Sequence, residues 1–132
     1  MSALPAHRLV VDGMNVIGSK PDGWWRDLDG AARRLLDQLG SLVTPDLVVI
    51  LVLDGRPIAG MPEGEQRNGV HLVYGGPGRG AGDDRLVEMV AALPDPDTVR
   101  VVTSDRGLAA RVTHLGASVE GARSLRTQLD GA

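Results

Sequence analysis

Leu47–Leu53 is apolar without a break, reads LVVILVL, and stops at Asp54-Gly55. A strand with one wet face alternates apolar and polar residues. An unbroken run of Val, Leu and Ile suits a strand covered on both faces. Such cover is the rule in parallel sheets, where crossover helices coat the two sides. The rest of the chain supplies the elements this demands. Arg8–Val11 reads as a short buried strand ending at Asp12. Trp25–Leu42 places Leu28, Ala32, Leu35, Leu36, Leu39 and Leu42 on one helical face, with Gly30 as a weak point. Val70–Tyr74, Val99–Thr103 and Ala117–Val119 read as further strands. Asp83–Leu93, Arg106–Leu115 and Ala122–Leu129 read as helices. Gly13–Gly23, Gly55–Gly69 and the Gly-rich stretch Gly75–Gly82 are expected to be loops. This alternation predicts one domain over residues 1–132, a three-layer α/β/α sandwich around a mainly parallel central sheet of five strands.

Composition narrows the chemistry. The 132 residues include no Phe, one Tyr and two Trp, so the core must be aliphatic. No Cys is present, which excludes disulfides, thiolate zinc sites and Cys nucleophiles. The longest apolar run is far too short to cross a bilayer, and Met1–Pro5 lacks the features of a signal peptide. The expectation is a cytoplasmic protein with no membrane partner. The formal net charge is −3, which on its face disfavours nucleic acid. All but one of the 14 basic residues are Arg, the exception being Lys20. Arg suits bidentate phosphate contacts, although a GC-rich genome would leave the same bias.

Three strands end on an acid: Asp12, Asp54 and Asp105. Right-handed crossovers bring the carboxyl ends of parallel strands to one edge, where open α/β sheets bind ligands. Asp83 and Asp84 open a helix that starts at that same edge. Carboxylates gathered there would repel unless a cation joined them. Mg²⁺ or Mn²⁺ takes oxygen ligands and keeps bound water, and no His lies near these positions in sequence to favour zinc. Such an ion could activate water against a phosphodiester. Each residue also has an ordinary reading. Asp12-Gly13 and Asp54-Gly55 are turn pairs. Asp83, Asp84, Ser104 and Asp105 fit helix N-termini, and Asn15 fits an Asx turn. Independent caps, however, need not share one edge.

Asn15, Ser104, Arg79, Arg85 and Arg106 are candidates for meeting substrate phosphates. Arg56 and Arg67 could equally be solvated surface charge. Trp24 and Trp25 could stack on bases, with at least one expected to pack inward. The Gly-rich stretch lacks the Gly-Lys-Ser/Thr ending of a phosphate-cradling loop and reads as a flexible linker.

Val11-Asp12-Gly13-Met14-Asn15-Val16 resembles the Asp-Gly-x-Asn-Val opening of NYN domains. Gly82-Asp83-Asp84-Arg85-Leu86 resembles their Asp-Asp helix start, and Val102-Thr103-Ser104-Asp105-Arg106 their Thr-Ser-Asp motif. The order matches over nearly the whole chain, and the bacterial YacP-like subgroup is the most similar. Gly82 stands where that subgroup often has Ala. The resemblance implies a PIN-like fold and a metal-dependent endoribonuclease. Asp12, Asp83, Asp84 and Asp105 would be its catalytic and metal residues, Mg²⁺ or Mn²⁺ its cofactor and RNA its substrate, with the ribosome or RNA-processing proteins as candidate partners. The alternative is a non-catalytic RNA-binding or ribosome-associated module. A receiver domain would need a Lys after its fifth strand, and a haloacid-dehalogenase phosphatase an Asp-x-Asp; neither is present.

Overall fold

The computed structural model describes residues 7–131. The strands are β1 (His7–Asp12), β2 (Leu47–Leu53), β3 (Gly64–Glu65), β4 (His71–Tyr74), β5 (Val99–Val102) and β6 (Ser118–Glu120). The helices are α1 (Gly13–Gly18), α2 (Leu28–Leu39), α3 (Ala81–Ala92), α4 (Arg106–His114) and α5 (Ala122–Asp130). They build one sheet in the order β3-β4-β2-β1-β5-β6, parallel except for β3 at one edge. Among the described residues no helix is long and apolar enough to cross a membrane.

The two-sided burial read from Leu47–Leu53 is realised literally. Val49, Leu51 and Leu53 face one core, with Leu35, Leu39 and Leu125 from α2 and α5. Ile50 and Val52 face the other, with Leu86, Val90, Leu108 and Val112 from α3 and α4. Leu35 and Leu39 are wholly buried, each contributing about 2 kcal/mol by leaving water. The layers are therefore α1, α2 and α5 on one face, the sheet, then α3 and α4 on the other.

The chain departs from the expected elements in four places. Residues 13–18, expected as loop, form α1. Gly13 can be pressed directly onto β2, where a Cβ would come within 2.6 Å of Leu53 Cδ2 and 2.8 Å of the Val52 carbonyl oxygen. The helix expected over 25–42 is α2 flanked by short 3₁₀ turns at Trp24–Arg26 and Gly40–Leu42. Asp27 caps it by accepting the Gly30 N–H at 3.0 Å. Gly30 is thus no weak point, because a Cβ there would strike the Asp27 carboxylate. The loop 55–69 contains a sixth strand, β3, closed onto β4 by the Gln66 N–H to Val70 carbonyl bond at 2.8 Å. The Gly-rich stretch is tied down rather than a free linker. Gly55 and Gly76 exchange two backbone hydrogen bonds of 3.0 Å, both at positive φ. Ala81 and Gly82 already belong to α3.

Candidate active site

The first crossovers carry the chain from β1 outward to β2 and β4. It then returns to the other side of β1 for β5 and β6. Strand order reverses between β1 and β5, and the crevice at the carboxyl end of such a switch is where this architecture binds ligands. Asp12 ends β1 and Thr103 follows β5 there.

Asp12 is buried, with 9% of its surface exposed. Its Oδ2 accepts the Thr103 hydroxyl at 2.9 Å. Thr103 Oγ1 in turn accepts the Asp105 N–H at 3.1 Å, so one hydroxyl joins two strand-end acids. Burial pushes Asp12 up to about 6, and the Asp83 and Asp54 carboxylates add to the rise. The Thr103 hydroxyl and the Asn15 backbone oppose it in part. Asp83, half-buried in the first turn of α3, is also raised, by burial first and then by Asp105 and Asp54. Asp83 and Asp54 thus act on Asp12, and Asp105 and Asp54 act on Asp83, which brings the four acids to one edge.

Asp54 reaches this edge because two glycines let β4 and α3 close up. A Cβ on Gly75 would collide with the Gly82 backbone, and a Cβ on Gly82 would collide with the Asp54 carboxylate. The Ala expected at position 82 in relatives is therefore more than a minor change for this chain.

The candidate substrate residues separate. Asn15 Oδ1 accepts the Ser104 N–H at 2.7 Å, so it braces α1 against the loop that carries Asp105. Ser104 Oγ accepts the first N–H of α5, from Ala122, at 2.9 Å. Asp105 Oδ1 caps α4 through the Leu108 N–H at 2.9 Å. Asp84 is exposed and pairs with Arg111 at 3.1 Å. Arg85 donates to the Tyr74 carbonyl at 3.1 Å and lies 3.5 Å from Glu63, which ties it to the β4 edge. Arg79 and Arg106 are exposed, and among the described residues neither makes an ion pair. Sequence reasoning passed over Thr103 as a site residue. A hydroxyl directly between a strand end and a strand-end acid was the available signal.

Among the described residues no three acidic or His side chains stand close enough to enclose an ion by themselves. The donor set nonetheless fits a hard divalent cation. It is all oxygen, gathers carboxylates whose charges raise Asp12 and Asp83, and leaves Asp54 and Asp105 exposed, so an ion could keep several waters, as Mg²⁺ does when held by one or two carboxylates.

A model of the YacP-like NYN domain matches residues 9–132. The chain belongs to the YacP-like NYN family. No curated protein matches it in sequence. Two crystal structures of Rae1 (YacP) from Bacillus subtilis share its fold. One, of a tryptophan-to-leucine mutant, is 22% identical with a TM-score of 0.74, covering 95% of this chain and 76% of that one. The other is 23% identical with a TM-score of 0.71, covering 93% and 73%. NYN domains have the PIN-like nuclease fold, which supports a ribonuclease-type function with RNA as substrate. Nucleases of this kind generally depend on a divalent metal.

Proposed function

We propose that this NYN domain is a metal-dependent endoribonuclease whose centre is the carboxyl edge between β1 and β5. The observation that carries the reading is Asp12: a buried carboxylate, raised to about 6, faced by the Asp83 and Asp54 carboxylates. Burying like charges together costs stability that a folding role does not call for, and a cation offsets that cost.

Asp12 and Asp83 would hold Mg²⁺ or Mn²⁺, with Asp54 and Asp105 adding negative charge and orienting its waters. The bound ion would acidify a water and neutralise charge on the phosphate. Hydrolysis would join that water's oxygen to phosphorus, release the leaving oxygen and leave the proton on it. Thr103 fixes the Asp12 carboxylate and the Asp105 backbone in one geometry. Asn15 holds α1 and the β5–α4 loop at a fixed spacing. Arg79 and Arg106, both exposed, would be the basic groups that meet the phosphate backbone.

A covalently closed circular RNA, incubated with EDTA, Mg²⁺ or Mn²⁺, tests this directly, because only an internal cut can open it. The wild type should open the circle with metal alone, and Asp12→Asn should lower the rate by on the order of 100-fold or more. A folded wild type that binds RNA but leaves every circle intact would select the non-catalytic module instead.

A further inference from the structure

Trp25 is the most exposed large apolar side chain described, at 60%. It does not hang from a loose loop. The Trp24–Arg26 turn is closed by the Arg26 N–H to Gly23 carbonyl bond at 3.0 Å and the Asp27 N–H to Trp24 carbonyl bond at 3.2 Å. Gly23 enters the turn at φ +82°, which favours glycine. The Asp22 carboxylate accepts the Trp24 N–H at 3.2 Å. Trp24 packs against the α1–α2 core and meets Trp25 edge-on, with centroids 6.0 Å apart and planes at 88°. One indole thus anchors the other in an outward position. The Arg26 guanidinium lies 5.8 Å from the Trp25 ring centroid, so the ring carries a cation beside it.

The turn also leads directly into α2, whose direction is fixed by the sheet. β1 and β2 are parallel, so α2 must end near the amino edge where β2 starts, and its own start lies toward the carboxyl edge. The Arg33 guanidinium, in the second turn of α2, donates to the Ala59 carbonyl in the loop that leaves the carboxyl end of β2. Trp25 precedes α2 by a few residues, at the end of that helix directed toward the carboxyl edge.

A rigid, exposed indole with an adjacent guanidinium is what a single-stranded nucleic acid needs: a flat face for a base and a positive charge for its phosphate. We propose that Trp25 and Arg26 form a stacking platform that holds one unpaired base of the RNA strand leading to the carboxylate edge. This rests on the RNA reading above and names the strandedness of the substrate and a binding residue outside the acidic cluster.

The test is fluorescence anisotropy in EDTA with a labelled single-stranded oligoribonucleotide of about 12 nucleotides, so that binding is read without cleavage. Trp25→Ala should weaken binding roughly 5- to 150-fold, the loss of one base–aromatic stack, and Trp25→Phe should retain most of it. Thermal melts check that both variants fold. Equal affinity of Trp25→Ala and wild type, or no binding by the wild type, overturns the platform. So does self-association of the wild type that Trp25→Ala abolishes, because Trp25 is then a contact between copies. A wild type that binds through Trp25 yet opens no circular RNA would remove the nuclease reading and leave the platform standing. One that cuts, with Trp25→Ala binding normally, would do the reverse.

Discussion

Thr103 Oγ1 donates to Asp12 Oδ2 at 2.9 Å while accepting the Asp105 N–H at 3.1 Å, so both bonds of one hydroxyl are spent on the acidic edge. Thr103→Val keeps the shape and removes both. The change should cost about 1–3 kcal/mol, because it strips a buried carboxylate and a backbone N–H of their partner. It should also raise Asp12 further, since the Thr103 bond holds its pKa down. The acid limb of the pH–rate profile should move to higher pH in Thr103→Val and return in Thr103→Ser. A Val variant with an unmoved profile would reduce Thr103 to packing.

Asp12 should make the metal-free protein less stable as pH rises. Near its ordinary value of 3.8 and below, it is protonated folded and unfolded alike. Between there and about 6 the unfolded chain releases the proton while the folded chain keeps it, so stability falls. Above about 6 the loss levels off at about 3 kcal/mol. Half-buried Asp83 acts in the same direction. In EDTA, Asp12→Asn should therefore melt close to wild type near pH 4 and several degrees higher at neutral pH. Added Mg²⁺ should narrow that gap by stabilising wild type. A gap independent of pH would contradict the burial of an ionisable carboxylate.

Much of this arrangement was legible from residue pattern. Leu47–Leu53 is β2 at both ends, and its unbroken apolarity encodes the two cores that sandwich it. The common edge of Asp12, Asp83 and Asp105 follows from parallel strands and right-handed crossovers. What escaped was set by tertiary contact. The segment GMNVIG is too short to display a 3.6-residue period, and its helix depends on Gly13 lying against β2. Gly64–Glu65 has no apolar alternation, being an exposed edge pair. The close approach of Asp54 needs Gly75 and Gly82 to meet, a contact across elements that local pattern does not carry. The divergence of Asp83 and Asp84 was readable, since adjacent residues on a helix do not share a face.

Gly13→Ala should destabilise the fold although Ala favours helices. The added methyl would meet the Val52 carbonyl oxygen at 2.8 Å and two Leu side chains, and the backbone contact has no easy relief. A loss of roughly 1–3 kcal/mol is expected, read as a lower urea midpoint with an unchanged slope. Asp12 directly precedes Gly13, so RNA cleavage under folding conditions should fall as well. A variant as stable as wild type would mean that α1 can lift from β2.

Asp83 and Asp84 are adjacent and should not be equivalent. Asp83 is half-buried and raised by burial and by Asp105 and Asp54. Asp84 is exposed and holds Arg111 at 3.1 Å. An exposed pair of this kind contributes about 0–1 kcal/mol. Asp84→Asn should thus leave stability nearly unchanged and RNA cleavage within a few-fold of wild type. Asp83→Asn should lower cleavage by on the order of 100-fold and weaken Mg²⁺ binding followed by calorimetry. In the metal-free protein it should also relieve Asp12 of a neighbouring charge, bringing that pKa down toward its ordinary range. Equal loss of cleavage in the two variants would mean that α3 turns when metal or RNA binds, bringing Asp84 off Arg111 and into the centre.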